Sequence, residues 1–153
     1  MVNKVALVEE VTIKQANIKD AERITTLGEQ LGYSLTIQQV EQRLNKIQND
    51  AEHIVYVATL ANEYVIGWAH AHICDLLIMP KQAILLGLVV DKDYHHHGIG
   101  RYLMQYIEQW AVLKECDGVM LRSNIKRKEA YLFYEKIGYI NIKQSLAFYK
   151  QLI

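Results

Sequence analysis

The sequence predicts an α/β (or α+β) protein built on a single mixed, mostly antiparallel sheet that is flanked by helices. The first observation is the order of its patterns, which is β-α-α-β-β-β-α-β-α-β along the chain. The second is the continuous apolar run Ala83–Val90, which is typical of a strand buried on both faces. The third is the amphipathic helix between this run and a short apolar strand, Gly118–Leu121. Together they predict a right-handed parallel strand–helix–strand crossover.

The first third of the chain contains one strand pattern and two helix patterns. Residues Val11–Ala16 alternate in polarity and are predicted as a strand. A helix is predicted from Asp20 to about Gly32, and a second begins after Thr36, whose hydroxyl suits an N-cap. Each helix has one apolar face that can pack on the sheet. The apolar positions at helical spacing are Ile24, Leu27 and Leu31, then Val40, Leu44 and Ile47.

The middle of the chain predicts a hairpin. His53–Leu60 and Val65–Cys74 are rich in β-branched and aromatic residues, as strands are. Ala61–Tyr64 between them has the composition of a turn. Because two strands joined by so short a turn are antiparallel, this hairpin supplies two neighbouring strands of the sheet.

The last third predicts two helices and a final strand. The helix over Gly98–Leu113 follows the apolar run directly, and a second helix over Lys126–Ile137 is followed by Gly138, a suitable C-cap residue. Residues Tyr139–Tyr149 are predicted as the last strand. The inward positions of the first of these helices are Leu103, Ile107 and Trp110.

The composition predicts one globular domain over residues 1–153. Hydrophobic residues make up 51% and charged residues 22%, which excludes a disordered or fibrous chain. Lys and Arg number 17, as do Asp and Glu, so the chain lacks the basic excess of a general nucleic-acid-binding protein. Cys74 and Cys116 form no C-x-x-C pair and are expected to be reduced. With no signal-peptide pattern and no membrane-spanning stretch, we expect a soluble cytoplasmic protein without nucleic-acid or membrane partners.

The polar turn after Ala83–Val90 predicts an anion site. Gly98 and Gly100 open the next helix, and the amides of such a turn and of the first helical turn have no partner within the helix. Together with the helix dipole they can bind a phosphate, which comes close to the backbone where Cβ is missing. The equally weighted alternative is that both glycines only permit a tight strand–helix junction. A G-x-G-x-x-G loop is excluded because Leu103 occupies the third glycine position, and no G-K-[ST] follows for a Walker loop.

The segment His95–Gly100 resembles motif A of the GNAT superfamily of N-acetyltransferases, whose pattern is [Q/R]-x-x-G-x-[G/A] after a central strand. Gly98 and Gly100 match the pattern, whereas His95 stands where Gln or Arg is usual. In that family the loop holds the pyrophosphate of acetyl-CoA, so the resemblance implies acetyl-CoA as co-substrate. The cofactor contacts that it implies here are Leu88, Val89, Val90, His95, His96, His97, Gly98, Ile99, Gly100 and Arg101.

A second stretch is similar to motif B of the same family. Asn124 follows Ser123, and Phe133–Tyr139 has the sequence F-Y-E-K-I-G-Y. The resemblance covers nearly all residues from Val11 onward and is loosely closest to small bacterial enzymes of the aminoglycoside-acetyltransferase-like kind. It implies further cofactor contacts at Asn124 and Tyr131. The residues alone explain Asn124 equally well as a turn or N-cap residue.

Tyr134 is the catalytic acid that the resemblance implies, because the family places a tyrosine hydroxyl at the thioester sulfur on this helix. The chain contains ten tyrosines, most of which must be core or surface aromatics, and position in the motif is what distinguishes Tyr134. The resemblance also implies that an amide near Leu88–Val90 stabilises the oxyanion, where family members carry a strand bulge.

His70 and His72 are the candidate general bases. Period two places them on one strand face with Trp68, and imidazole can accept a proton near neutral pH. Many relatives use a glutamate on the fourth strand, but Lys81–Val90 contains no carboxylate. The alternatives are that both histidines only line a polar sheet face, which the residues alone favour, or that the amine loses its proton to water.

The run of three histidines His95–His97 does not predict a metal site. Consecutive residues cannot all point at one ion in regular structure, and no cysteine or acidic cluster with ligand spacing accompanies them. We expect them to be solvated loop residues near the phosphate.

The resemblance therefore implies transfer of an acetyl group from acetyl-CoA to a primary amine, by direct attack in a ternary complex and without a metal. The acceptor is a small molecule or a peptide, and a homodimer is compatible with the sequence. The alternative is a non-catalytic acyl-CoA-binding sensor or regulatory module, which His95 and the missing carboxylate keep open. A nucleotide-binding regulatory module has less support, because no motif that binds a base or ribose is present.

Overall fold

A computed structural model of the chain describes residues 10–153, and its five strands form one sheet in sequential order. The first four strands pair antiparallel, and the fifth runs parallel to the fourth. The predicted fold class and the parallel crossover are therefore confirmed. The strands are β1 Thr12–Gln15, β2 His53–Thr59, β3 Val65–Cys74, β4 Gln82–Val90 and β5 Gly118–Leu121.

Four α-helices accompany the sheet in the described part of the chain. The second begins at the predicted cap, because the Thr36 hydroxyl accepts from the Gln39 amide while the Gln39 side chain accepts from the Thr36 amide. The third begins one residue after Gly98, which is its N-cap. The fourth is shorter than predicted. The helices are α1 Ala21–Gln30, α2 Ile37–Gln48, α3 Ile99–Leu113 and α4 Lys128–Lys136.

Helices cover both faces of the sheet. Residues of α1 and α2 form a buried cluster with Val55, Val57 and Val89 on one face. On the other face α3 lies close to the strands, since a Cβ added at Gly67 would stand 3.3 Å from a methyl of Leu103. Burial of both sheet faces is what the apolar faces of the helices require.

The chain divides into two compact units, Met1–Leu121 and Arg122–Ile153. The first holds the whole sheet with α1, α2 and α3, and the second holds α4 and the residues around it. A single domain over residues 1–153 stays a prediction.

The prediction of a last strand over Tyr139–Tyr149 is wrong. The structure has no strand after β5, and every residue from 140 to 153 is exposed. Alternating polarity makes a segment able to form a strand, but the strand exists only where a neighbour supplies hydrogen-bond partners. No strand within the described residues pairs with this segment, so its backbone is left to water.

Candidate active site

β4 carries a bulge near its midpoint. The register pairs His70 with Gly87 but Ala71 with Leu85, which leaves Leu86 without a partner on β3. The side chain of Leu86 is 49% exposed. The expectation that this strand is buried on both faces is therefore wrong at Leu86, because a bulge turns the extra residue out of the pleat. The bulge that the family resemblance implied is present.

β4 separates from β5 at the bulge. The parallel ladder joins only Gln82–Leu85 to Gly118–Leu121. Within residues 10–153, the later half of β4 has no strand on that side. An open edge of this kind presents backbone donors and acceptors that a ligand can bind.

The alternation of the strand shows which amides face the open edge. The amide of Asp91 donates to the Ile66 carbonyl of β3 at 2.8 Å, so the amide of Val89, two residues earlier, also points towards β3. The amides of Leu88 and Val90 therefore point to the open edge. The side chain of Val89 is buried in the core.

The loop that follows β4 is fastened to the strand by His95. Its Nε2 donates to the Val90 carbonyl at 2.7 Å, a contact that requires the ring proton on Nε2. His96 and Gly98 then adopt left-handed backbone, with φ of 65° and 79°. Left-handed residues of this kind curl the backbone so that successive amides point towards a common centre, where an anion can bind.

The amides of this loop are available to a ligand. Those of His96, His97 and Gly98 donate to no acceptor among residues 10–153, and the first-turn amides of α3 follow them. Nδ1 of His97 is buried and has no partner in the same range. A buried polar atom without a partner indicates that something else satisfies it. With the exposed Arg101 in the first helical turn, these groups fit a pyrophosphate.

A buried carboxylate anchors the start of the loop to α1. Asp91 accepts from the Arg23 guanidinium at 3.0 Å and from the Asp93 amide at 3.1 Å. Burial by itself would raise the pKa of Asp91, but the Asp93 amide, Arg23 and the Gln30 side chain together hold it below its usual range. Gln30 also accepts from the Lys92 amide at 3.1 Å. The first residues of the loop are therefore held against α1 by side-chain hydrogen bonds.

Three histidines meet on the face of the sheet that α1 and α2 cover. Nδ1 of His53 lies 3.0 Å from Nε2 of His70, and the ring of His53 also stacks on that of His72 at 5.4 Å. Burial, followed by the charges of His53 and His72, lowers the pKa of His70 to about 4. His70 is therefore neutral at physiological pH and is a weak base. Nδ1 of His72 contacts the Ile73 carbonyl at 2.8 Å, which leaves its Nε2 lone pair unused.

Trp68 lies beside these histidines and covers Gly87 at the bulge. A Cβ added at Gly87 would stand 2.8 Å from the indole ring, so any larger residue there would displace the ring. The indole Nε1 is buried and has no hydrogen-bond partner among the described residues. A donor in this position is available to a ligand on the same sheet face.

Asn124, Tyr131 and Tyr134 belong to the second unit. The Asn124 side-chain oxygen accepts from the Lys126 amide at 2.9 Å, so the turn interpretation of this residue is confirmed, and its side-chain NH₂ remains available. The ring of Tyr134 packs edge-on against Phe133 and Tyr139. Burial raises the pKa of Tyr134 to about 12, and the positive charge of Arg127 opposes this only in part. The hydroxyl therefore keeps its proton across the physiological range and is a donor.

The profile of the acetyltransferase (GNAT) family matches residues 21–139. The chain belongs to the GNAT family. It is therefore classed among the acyltransferases, whose GNAT members transfer acetyl groups from acetyl-CoA to amines. The loop with Gly98 and Gly100, the bulged β4 and the helix with Tyr134 all lie inside the matched range.

Curated relatives of this GNAT protein are N-alpha-acetyltransferases. It is 31% identical over 71 residues to N-alpha-acetyltransferase 30 of Xenopus laevis and of Homo sapiens, a match that covers 46% of the chain. The protein of Saccharomyces cerevisiae is 29% identical over 62 residues, or 40% of the chain. These matches span 26%, 20% and 35% of the relatives' own lengths, so the chain corresponds to only part of each relative.

Solved structures confirm the GNAT fold. An aminoglycoside antibiotic 6'-N-acetyltransferase of Acinetobacter baumannii superposes with a TM-score of 0.82 at 17% identity, covering 93% of this chain and 99% of that one. Glucosamine-6-phosphate N-acetyltransferase of Arabidopsis thaliana gives a TM-score of 0.79 at 20% identity, with 92% and 99% covered. A transcriptional regulator of Bacillus halodurans gives 0.80 at 20% identity, with the same coverage.

Sequence patterns did not indicate His53, Trp68 as a donor, or the pair of Arg23 with Asp91. The strand register brings His53 opposite His72, whereas the alternation that singled out His70 and His72 concerns β3 alone and does not indicate His53.

Among residues 10–153, no group of three His, Cys, Asp or Glu side chains is arranged to hold a metal ion. No helix of the same range is long and apolar enough to cross a membrane.

Proposed function

We propose that this GNAT protein is an N-acetyltransferase that moves the acetyl group of acetyl-CoA to a primary amine by direct attack in a ternary complex. The observation that carries the proposal is the open edge of β4 beside a loop lined with unpartnered amides, both inside the range that matches the family. Acetyl-CoA supplies an acetyl thioester, which an amine can attack without a metal or a redox step. Reduced cysteines support a cytoplasmic location.

The loop after β4 and the open edge of β4 bind different parts of the co-substrate. The amides of His96 to Gly100, the N-terminus of α3 and Arg101 hold the pyrophosphate. The amides of Leu88 and Val90 bind the pantetheine arm and the acetyl oxygen. Of the two, the strand amide nearer the bulge, Leu88, is our candidate oxyanion donor. The NH₂ group of Asn124 and the hydroxyl of Tyr131 are proposed as further contacts.

The amine must be neutral when it attacks. The unperturbed pKa of a primary amine is about 8 for a peptide N-terminus and about 10 for a lysine, so His70, with a pKa of about 4, takes this proton very unfavourably. We assign the base to His72, whose Nε2 lone pair is unused and whose ring is held by the Ile73 carbonyl and by stacking on His53. The role of His70 is then that of a neutral hydrogen-bonding partner for His53.

The transfer forms one bond, breaks one bond and moves one proton from nitrogen and one proton to sulfur. The amine nitrogen forms a bond to the acetyl carbon, the C–S bond breaks, and the sulfur leaves with the electron pair. His72 receives the proton that the nitrogen loses when the amide forms. The Tyr134 hydroxyl gives its proton to the departing sulfur, a role that its protonated state supports and for which its motif position argues. The proton on His72 then returns to the Tyr134 oxygen through solvent, which restores both residues.

The proposal is tested by steady-state turnover with acetyl-CoA and a panel of amines, with release of free thiol as the readout. The panel contains three classes: small polyamines and amino sugars, peptides with a free N-terminus, and peptides whose only amine is a lysine. We expect thiol release that depends on one class and an acetylated product with the mass of one added acetyl group.

The same panel distinguishes the enzyme from an acyl-CoA-binding sensor. Tight acetyl-CoA binding with no turnover on any class would contradict catalysis and favour the sensor. Absence of both binding and turnover would contradict the assignment of the loop itself.

A further inference from the structure

The guanidinium of Arg23 joins three parts of the fold. Arg23 lies in the first turn of α1, and its Nε donates to the Val65 carbonyl at the start of β3 at 3.0 Å. Its Nη2 donates to the carboxylate of Asp91, just after β4, at 3.0 Å, and its central carbon lies 4.3 Å from the centre of the Tyr64 ring. Because a guanidinium donates in several fixed directions at once, this one side chain holds α1, β3 and the end of β4 together.

Asp91 connects this contact to the turn that leads into the anion loop. One oxygen of its carboxylate accepts from Arg23, and the other accepts from the Asp93 amide at 3.1 Å. Its carbonyl also accepts from the Tyr94 amide at 2.8 Å, so Asp91 caps the single turn of 3₁₀ helix over Lys92–Tyr94. The side chain of Asp91 is only 9% exposed. The orientation of this carboxylate therefore determines where the turn starts.

Gln30, at the other end of α1, holds the same turn at a second point. Its side-chain oxygen accepts from the Lys92 amide at 3.1 Å. Arg23 and Gln30 are seven positions apart, a spacing that places both on one face of the helix. Because this face contacts two adjacent residues, Asp91 and Lys92, α1 sets the orientation of the turn as well as its position.

The far end of the turn is held by β4 instead. Nε2 of His95 donates to the Val90 carbonyl at 2.7 Å, and the loop amides of His96, His97 and Gly98 come directly afterwards. A shift of the turn would therefore move these amides relative to one another and to α3. Donors that are already ordered in the free protein bind a ligand more tightly, because binding does not have to order them.

We propose that Arg23 and Gln30 are positioning residues for the co-substrate: through Asp91 and Lys92 they hold the turn after β4 so that the loop amides converge on the pyrophosphate. The inference rests on the proposed function, which assigns this loop to acetyl-CoA. In this role neither side chain of α1 touches the ligand, and both raise the population of the binding-competent loop. An apparent Kd rises by the factor by which that population falls.

Two variants separate positioning from simple attraction of charge. Arg23→Lys keeps the positive charge but cannot donate in two fixed directions, so coenzyme A binding should weaken although the charge is unchanged. Asp91→Asn removes a negative charge beside an anion site, which by charge alone would strengthen binding. Its amide oxygen can still cap the turn, but its NH₂ group then faces the guanidinium and breaks that contact. Positioning therefore predicts weaker binding for Asp91→Asn as well.

Isothermal titration measures the Kd for coenzyme A of the parent and its variants. We expect a roughly tenfold rise for Arg23→Lys and Asp91→Asn. For Gln30→Ala, at an exposed position where alanine suits the helix, we expect a roughly threefold rise with the fold retained. Lys19→Gln removes the surface ion pair with Glu63 and is the matched control, which should bind like the parent.

Steady-state kinetics give a second readout that a loss of folded protein would not mimic. The KM for acetyl-CoA should rise by the same factors, whereas kcat at saturating acetyl-CoA and the KM for the amine should stay close to those of the parent. The double variant Arg23→Leu/Asp91→Asn leaves no unpaired buried charge, so urea unfolding should show it at least as stable as Asp91→Asn. It should nonetheless bind coenzyme A no better, because both changes act on one contact.

The outcomes distinguish this inference from the proposed function. Parent-like affinity in Arg23→Lys and Gln30→Ala, or tighter binding in Asp91→Asn, would overturn the positioning role and leave the assignment of the loop intact. A lower kcat with an unchanged KM for acetyl-CoA would overturn it too. A parent chain that binds no coenzyme A would instead contradict the proposed function, and the positioning role with it.

Discussion

The imidazole of His53 stacks on those of His70 and His72, and the pKa of His70, about 4, follows from burial and from the charges of these two neighbours. The sequence pattern singled out His70 and His72 but not His53. Their effect on one another arises because the β2–β3 register pairs His53 with His72 and Val55 with His70. Besides burial, the charge of His70 is thus affected by His53, which lies on the neighbouring strand and 17 positions away along the chain.

The depressed pKa of His70 predicts a loss of stability in acid. The unfolded histidine has a pKa of about 6.5, so as the pH falls the unfolded chain binds the proton first. His70 leaves the free energy of unfolding unchanged above about pH 6.5 and lowers it between about 6.5 and 4. The slope is about 1.4 kcal/mol per pH unit and the total roughly 3 kcal/mol.

Urea unfolding at a series of pH values measures this fall in the free energy of unfolding. His70→Gln should remove most of the acid-dependent loss, whereas His96→Gln, at an exposed loop position, should keep it. A His70→Gln variant with the same pH slope as the parent would contradict the assignment.

The variant Tyr134→Phe tests whether Tyr134 is the acid that protonates the leaving sulfur. Tyr134→Phe keeps the ring that packs on Phe133 and Tyr139 and removes only the hydroxyl. Because the hydroxyl acts on the leaving sulfur, kcat should fall about 10²-fold while the affinity for acetyl-CoA stays nearly the same. The measurement is steady-state turnover, with acetyl-CoA affinity determined separately.

Tyr131→Phe, on the same helix, should give the converse result: it should retain kcat but weaken acetyl-CoA binding, because its hydroxyl is a proposed co-substrate contact. Equal kcat values for the parent and Tyr134→Phe would remove Tyr134 as the acid and leave water as the proton source.

At the scale of elements, the junction of β4 with α3 concentrates the features that suit an anion. The bulge at Leu86, the hydrogen bond from His95 to Val90 and the anchor at Asp91 each fix a different part of the junction. The loop between them has left-handed backbone at His96 and Gly98. His95 replaces the usual motif residue yet holds the strand end, so the departure from the motif leaves the loop intact.

The two motif glycines should respond differently to alanine. Gly98 has a φ of 79°, so Gly98→Ala should destabilise the fold by about 1 kcal/mol or more. Gly100 lies inside α3, where alanine is the better helix former, so Gly100→Ala should be neutral or stabilise by up to about 1 kcal/mol. Both methyl groups should nonetheless weaken acetyl-CoA binding, because each projects into the space that the phosphate needs.

Thermal unfolding and isothermal titration of coenzyme A check the two effects independently. Gly138→Ala, at a positive φ after α4, is a control that should cost stability without weakening coenzyme A binding. Normal coenzyme A affinity in Gly100→Ala would place the pyrophosphate elsewhere.

At the scale of the whole molecule, ligand binding should be coupled to global stability. A ligand that binds only the folded chain stabilises it by about 2.7 kcal/mol at a hundred times its Kd, which is several degrees of Tm for a domain of this size. We expect this shift with acetyl-CoA and coenzyme A in a thermal melt. ATP and NAD should give little, since the loop matches neither a Walker nor a dinucleotide motif. A shift with NAD and none with coenzyme A would contradict the proposed co-substrate.

The sequence by itself determined the order of the first five strands along the chain, the antiparallel hairpin, the parallel crossover and the position of the glycine loop between β4 and α3. These follow from local polarity periods and from glycines at a strand–helix junction, which depend on neighbours along the chain. The two motifs also indicate the family, which the family profile over residues 21–139 shows.

Only the tertiary structure decided the rest. The bulge at Leu86, the contact between His53 and His70, and the indole over Gly87 depend on the register between strands, which one strand's pattern does not contain. The same reason explains the failure at residues 139–149. Alternation made that segment fit to be a strand, but a strand needs a partner for its amides, and the described chain gives it none.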